Sequence, residues 1–140
     1  MINCLGLLMA TAIRLHSQIN FTISDFDLMC RVCMAEDSDL NGQEAVATVI
    51  LNRVYCEDKF PDTVEGVITQ EKQFSMFSAD ERIPEDVKYV VCFALLKYGT
   101  IEQEIPRSCY YFRAGHYHNF GIQYRKIGGN YFSLAENATD

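Results

Sequence analysis

Glu36 follows Val32 by four residues and Met29 by seven, so on a helix it continues the apolar face drawn by Phe26, Met29, Val32 and Cys33. Apolar neighbours disfavour an ionised carboxylate, so a glutamate closing such a face is expected to have a raised pKa and to hold a proton near neutrality. A carboxylic acid of that kind is suited to protonating a glycosidic oxygen as the bond breaks. Beyond a polar stretch at 37–41, Glu44, Thr48 and Asn52 recur every four residues as a single polar line on an otherwise apolar helix. Buried polar groups need partners, and two kinds fit Thr48 and Asn52: sugar hydroxyls, or backbone groups of a neighbouring loop.

Other residues also invite chemistry. Asp39 is either a second acid or a helix cap, the cap being favoured, with Asn41 as an alternative cap. Gln73-Phe74-Ser75 suits a saccharide groove, with the ring under a sugar face and the amide and hydroxyl orienting it; an ordered turn around a core phenylalanine is the plainer reading. His116 and His118 would share one face of a strand, but no matching carboxylate pair or H-x-x-x-H accompanies them. A structural or substrate-contacting His118 is therefore expected, with no metal. Cys30-Arg-Val-Cys33 is C-x-x-C in mid-helix with no second copy, a poor match to a zinc or redox motif.

The elements that must position these residues follow from periodicity. Leu5, Leu8, Met9, Ala12 and Ile19 predict an N-terminal helix within residues 1–23. Ser24 caps a second helix ending at Glu36, and Gly42 to about Tyr55 is apolar nearly all round, a buried central helix. Asp62 or Thr63 opens a short helix, and Pro84 falls in the first turn of another that stops at Gly99. After Pro106, "CYYFR" and "IQYRKIGGNYFSL" read as strands, with Gly128-Gly129 turning a hairpin; residues 135–140 form a loose tail. Tyr110, Tyr111 and Phe112 alternate on the first strand, and Tyr111 is the cleft candidate. Arg53 suits a buried ion pair or a loop anchor holding the short turn at 37–41. The fold class is α+β, a helical core with a small late antiparallel sheet, in a single domain over residues 1–140.

Composition bounds the rest. The apolar share is 49%, the charged share 22% and the net charge −7, with no basic cluster along the chain, which disfavours nucleic acid as a partner. Six cysteines lie mostly in apolar stretches, as free core thiols do. "NCLGLLMATAI" is too short to cross a membrane and has no basic residue ahead of its Ala10-Thr11-Ala12, so no signal peptide is expected there. Absence of a clear leader fits release by another agent, such as a phage holin, and fits an incomplete chain equally well. Oligomeric state is not legible.

One larger pattern joins these pieces. Ala35-Glu36, Gly42-Gln43, Ala45-Val46-Ala47, Leu51-Asn52-Arg53-Val54, Phe60-Pro61, Thr63-Val64, Gly66-Val67-Ile68, Gln70 and Gln73-Phe74-Ser75 occur in order. Tyr111-Phe112, His118, Phe120-Gly121, Tyr124, Ile127-Gly128 and Tyr131-Phe132 follow. Over about residues 25–134 the chain resembles the SleB/CwlJ-type cell-wall hydrolases, the spore-cortex-lytic enzymes and related phage and bacterial lysins. The resemblance implies a lysozyme-like α+β domain acting on peptidoglycan glycan strands at the cell wall or spore cortex, with the catalytic glutamate at Glu36 and no cofactor. It also strengthens Gln73, Phe74 and Ser75 as sugar contacts, beside the candidates Thr48, Asn52, Tyr111 and His118 read from the residues themselves. A lytic transglycosylase is the first expectation; a muramidase using water, or a non-catalytic wall-binding protein on the same fold, are the alternatives. Family members commonly continue the glutamate with Ala-Arg-Gly-Glu, where this chain has Asp37-Ser38-Asp39-Leu40-Asn41, shorter and without the arginine.

Overall fold

A computed structural model of the chain describes residues 3–70, 74, 78 and 80–136. Helix α1 spans Cys4–Leu15, and Asn3 caps it by accepting the Gly6 N–H at 2.7 Å. The expected N-terminal helix breaks at His16 into a short 3-10 turn, Ser17–Ile19, and Asn20 takes a left-handed φ of 56°. Leu5, Leu8, Met9 and Ala12 therefore meet the core from α1, whereas Ile19 meets it from the turn.

Helix α2, Ile23–Glu36, starts at Thr22 rather than at the expected Ser24 cap. The Thr22 hydroxyl accepts the Asp25 N–H at 3.2 Å and Asp25 accepts the Thr22 N–H at 2.9 Å, a reciprocal pair that leaves Ser24 inside the first turn. Asp39 caps helix α3, Leu40–Val54, accepting from the N–H groups of Asn41 at 2.9 Å and Gly42 at 3.2 Å. Every residue from Gly42 to Val54 is buried, as the all-round apolar pattern predicts. Full burial of Ile50 or Leu51 contributes about 1.5–3 kcal/mol each. Helix α4, Val64–Thr69, is capped by Thr63, and α5, Glu85–Lys97, follows Pro84, which occupies the cap position one residue ahead of where the sequence suggested.

Helices α2, α4 and α5 pack around α3, and α1 lies on α5. Strands β1 (Cys109–Ala114), β2 (Ile122–Ile127) and β3 (Asn130–Leu134) form an antiparallel sheet in the order β1-β3-β2. The β2–β3 turn runs through Gly128, whose φ of 60° favours glycine. Phe132 and Leu134 join the helical core, so the architecture is α+β with the sheet docked on α3. The Ala135 N–H donates to the Ser108 carbonyl at 2.9 Å, so the chain is still tied down at the first residue of the expected tail. Residues 137–140 lie outside the described set. Among the described residues no helix is long and apolar enough to cross a membrane.

Candidate active site

The end of α2 is gripped from several directions. Met29, Val32 and Cys33 are fully buried, and Glu36, next on their face, emerges half-buried. Burial, then the neighbouring Cys30 and Glu36, push the Cys33 thiol well above its ordinary range, so it stays protonated and unreactive. Asp37 turns extended, at φ −152° and ψ 141°, which sends the chain away from the helix. Its carboxylate is only 5% exposed and accepts three hydrogen bonds. They come from the Asp39 N–H at 2.9 Å, the Gly129 N–H at 3.0 Å and the Asn130 side-chain amide at 2.9 Å.

The same Asn130 amide nitrogen donates to the Glu36 carbonyl at 2.8 Å, and Gln43 Nε2 donates to the Asp37 carbonyl at 2.8 Å. Thus the β2–β3 turn and the first turn of α3 both hold the peptide that carries Glu36. Gly42 and Gly128 are needed here for space: a Cβ at either would overlap the Asp37 carboxylate. Asp37, Gln43 and Asn130 were not singled out as site residues from sequence. The available signal was the set of glycines at 42, 128 and 129, which marks close approach without naming what approaches.

Three of the expected saccharide contacts come together elsewhere on the sheet side. Arg53, 3% exposed, donates from Nε to the Tyr110 carbonyl at 2.9 Å. Its guanidinium lies 4.8 Å from the Phe60 ring centre, 5.1 Å from Phe74 and 5.6 Å from Tyr111. Burial lowers its pKa to about 10, so it remains a cation at neutral pH. Arg53 sits in the last turn of α3, roughly 20 Å along the helix from the 37–41 turn it was expected to hold; it anchors β1 instead. Tyr111 meets Phe120 edge-on at 5.1 Å, His118 stacks on Phe120 at 4.5 Å, and His118 Nε2 reaches the Phe112 carbonyl at 3.1 Å. The structure therefore gathers Phe74, Tyr111 and His118 into one half-buried aromatic group. Gln73 and Ser75 lie outside the described residues.

Thr48 and Asn52 point elsewhere. Thr48 is 1% exposed and its hydroxyl donates to the Glu44 carbonyl one turn back at 3.0 Å. The Asn52 amide nitrogen donates to the Pro106 and Cys109 carbonyls, both at 2.9 Å, and its oxygen accepts from the Tyr98 hydroxyl at 3.0 Å. Of the two kinds of partner the sequence allowed, these residues have protein ones. Glu44, heading the same line, pairs with Lys97 at 3.1 Å. His116 and His118 lie in the β1–β2 loop rather than on a strand, so their rings are not held on one face. Among the described residues no group of three metal-ligating side chains exists. All six cysteines are free; Cys30, Cys33, Cys92 and Cys109 are buried.

A fold with a late three-stranded sheet docked on one buried helix, and a glutamate held at their junction, defines a class that comparison makes specific. Residues 37–133 match the cell wall hydrolase family, and the chain belongs to that family. The matched segment begins at Asp37, immediately after Glu36, and contains Asp37, Gln43, Gly129 and Asn130. The structure is similar to the catalytic domain of the Bacillus cereus SleB protein, with 27% identity and a TM-score of 0.62 over 80% of this chain and 91% of that one. It is also similar to the catalytic domain of the germination-specific lytic transglycosylase SleB from Bacillus anthracis, with 28% identity and a TM-score of 0.62 over 81% of this chain and 96% of that one. No curated protein matches. The expected α+β, lysozyme-like fold is the fold found, and the protein is an enzyme of the cell wall that acts on peptidoglycan.

Proposed function

We propose that the enzyme is a lytic transglycosylase that cleaves between N-acetylmuramic acid and N-acetylglucosamine, with Glu36 as its single catalytic carboxyl group. Protonated Glu36 donates to the glycosidic oxygen, and the bond to muramic C1 breaks as the N-acetylglucosamine hydroxyl departs. The resulting carboxylate then takes the proton of the muramic 6-hydroxyl while that oxygen bonds to C1, closing a 1,6-anhydro ring and restoring the acid. No water is consumed and no cofactor is required. The aromatic group of Phe74, Tyr111 and His118 is read as a wall of the saccharide cleft.

One observation carries this reading over hydrolysis. A water-based route normally wants a second carboxylate across the bond. Of the two acids next to Glu36 in the chain, Asp37 is buried with both oxygens bonded in the hairpin grip, and Asp39 caps α3 through its Oδ1. The similar Bacillus anthracis protein is a lytic transglycosylase, which supports the same choice.

Mass spectrometry of digested sacculi tests it. The expected product carries an anhydro end, lighter by one water than a reducing end. Glu36→Gln is expected to lower muropeptide release by about 10²–10⁴-fold with the melting temperature unchanged. Reducing ends would indicate a muramidase instead, and full-speed cleavage by Glu36→Gln would remove the role assigned to this residue.

A further inference from the structure

The register of the sheet assembles a surface that the linear sequence hides. Arg113 is paired with Tyr131, and Lys126 is paired with Tyr131 from the other side. Residues directly opposite in antiparallel strands project from the same face, so Arg113, Tyr131 and Lys126 form one row across all three strands. Arg113 and Lys126 are exposed and Tyr131 is half-buried. The Lys126 ammonium lies 5.6 Å from the Tyr131 ring centre, and Tyr117 from the β1–β2 loop meets that ring edge-on at 4.9 Å, which holds it in place.

The charges around this row are one-sided. Residues 105–135 contain Arg107, Arg113, Arg125 and Lys126 and not one Asp or Glu, in a chain whose net charge is −7. Neither Arg113 nor Lys126 has a carboxylate partner among the described residues. The acids that flank this segment are Glu104, whose charge acts on Arg125, and Glu136, so Arg113 and Lys126 face solvent as a cationic platform with an aromatic centre. Asn130, the residue before Tyr131, donates to the Glu36 carbonyl from the opposite face of the strand. The platform is therefore the outer side of the element whose inner side holds Glu36.

We propose that the Arg113–Tyr131–Lys126 row docks the enzyme on the peptide carboxylates of peptidoglycan. The substrate is a mesh of glycan strands bearing short peptides with free carboxyl groups, so it presents repeated anions along its strands. A guanidinium takes a carboxylate through two parallel N–H bonds, an ammonium takes a second as a point charge, and the ring between them covers an apolar stretch of peptide. Docking on a neighbouring strand of the mesh raises the local concentration of linkages at Glu36 without contacting the reacting bond. This inference rests on peptidoglycan as the substrate and not on the role of Glu36.

The test measures retention of the full chain on insoluble sacculi, using Glu36→Gln protein so that cleavage does not disturb the binding. Native sacculi are compared with sacculi whose peptide carboxyls are converted to amides and with sacculi stripped of phosphate-bearing polymers. Retention is expected to fall about tenfold on the amidated wall, and about tenfold for Arg113→Gln/Lys126→Gln on the native wall. It is expected to weaken as salt is raised above about 0.15 M. The charge-keeping pair Arg113→Lys/Lys126→Arg should bind as the parent does, and melting curves check that each variant is folded. Equal retention of the neutralised pair, or of the parent on amidated sacculi, overturns the proposal, as does a loss seen only when the phosphate polymers are removed. Because Glu36 is replaced throughout, none of these outcomes bears on the chemistry assigned to it.

Discussion

At its N-terminal end α3 meets the end of α2 and the β2–β3 turn; at its C-terminal end it meets β1, Tyr98 and the His16 side chain beyond Tyr55. Both junctions are polar networks in which side-chain amides and charged groups hold backbone atoms from distant parts of the chain. At the C-terminal end the side chains are used up by the protein. Both ends of the Asn52 amide are bonded, and His16 bridges the Tyr55 hydroxyl at 2.6 Å and the Leu95 carbonyl at 2.8 Å. At the N-terminal end the bonds from Asn130 and Gln43 hold the backbone at Glu36 and Asp37, and Glu36 itself is half-buried. The same device thus closes the core at one end, and at the other fixes the main chain that carries a half-buried glutamate. A rigidly held peptide is a condition that a general acid needs.

The sharpest way to break this contrast is to remove the Asp37 carboxylate. Asp37→Ala leaves the Gly129 N–H, the Asn130 amide and the Asp39 N–H without their acceptor, at an expected cost of about 3 kcal/mol or more in urea unfolding. Muropeptide release should fall as well, by about tenfold or more, since the hairpin no longer grips the Glu36 peptide. At the other end, Asn52→Ala should cost about 2–3 kcal/mol while leaving KM for glycan unchanged in the surviving folded enzyme. A raised KM there would instead restore Asn52 as a sugar contact and blur the difference between the two ends.

The pH dependence of the C-terminal junction gives a smaller effect. Burial lowers the His16 pKa below its ordinary value of 6.5, opposed by its bond to the Leu95 carbonyl. Above 6.5 the ring is neutral in both the folded and unfolded chain. As pH falls through 6.5 the unfolded chain gains a proton that the folded one resists, so stability declines toward acid until the folded pKa is passed. Melting temperatures taken between pH 7.5 and 5 should drop further for the parent than for His16→Asn. The mildest change is Thr48→Val, expected within about 1 kcal/mol of the parent and without effect on KM, because its hydroxyl serves only a carbonyl of its own helix.

The periodic parts of this protein were open to reading in the chain itself. The apolar spacing that ends at Glu36, the all-round burial of α3 and the Gly128-Gly129 turn all appear where local pattern puts them, because each depends on neighbours within a few residues. Caps were legible to within a residue or two, Thr22 displacing Ser24 because two groups satisfy each other there. Local pattern could not say which partners Thr48 and Asn52 would find, since a buried polar group is equally content with a sugar or a carbonyl.

What the sequence by itself determined is the set of elements, their α+β order and the glutamate at the end of an apolar face. Tertiary structure alone decided what grips that glutamate, for the bonds from Asp37 to Gly129 and Asn130 span 92 and 93 residues. It likewise decided that Arg113 and Lys126, well apart in the chain, flank a single tyrosine. Periodicity records which way a side chain faces relative to its own helix or strand. Which distant group it then meets is set by the docking and register of whole elements, a property no short stretch of sequence contains.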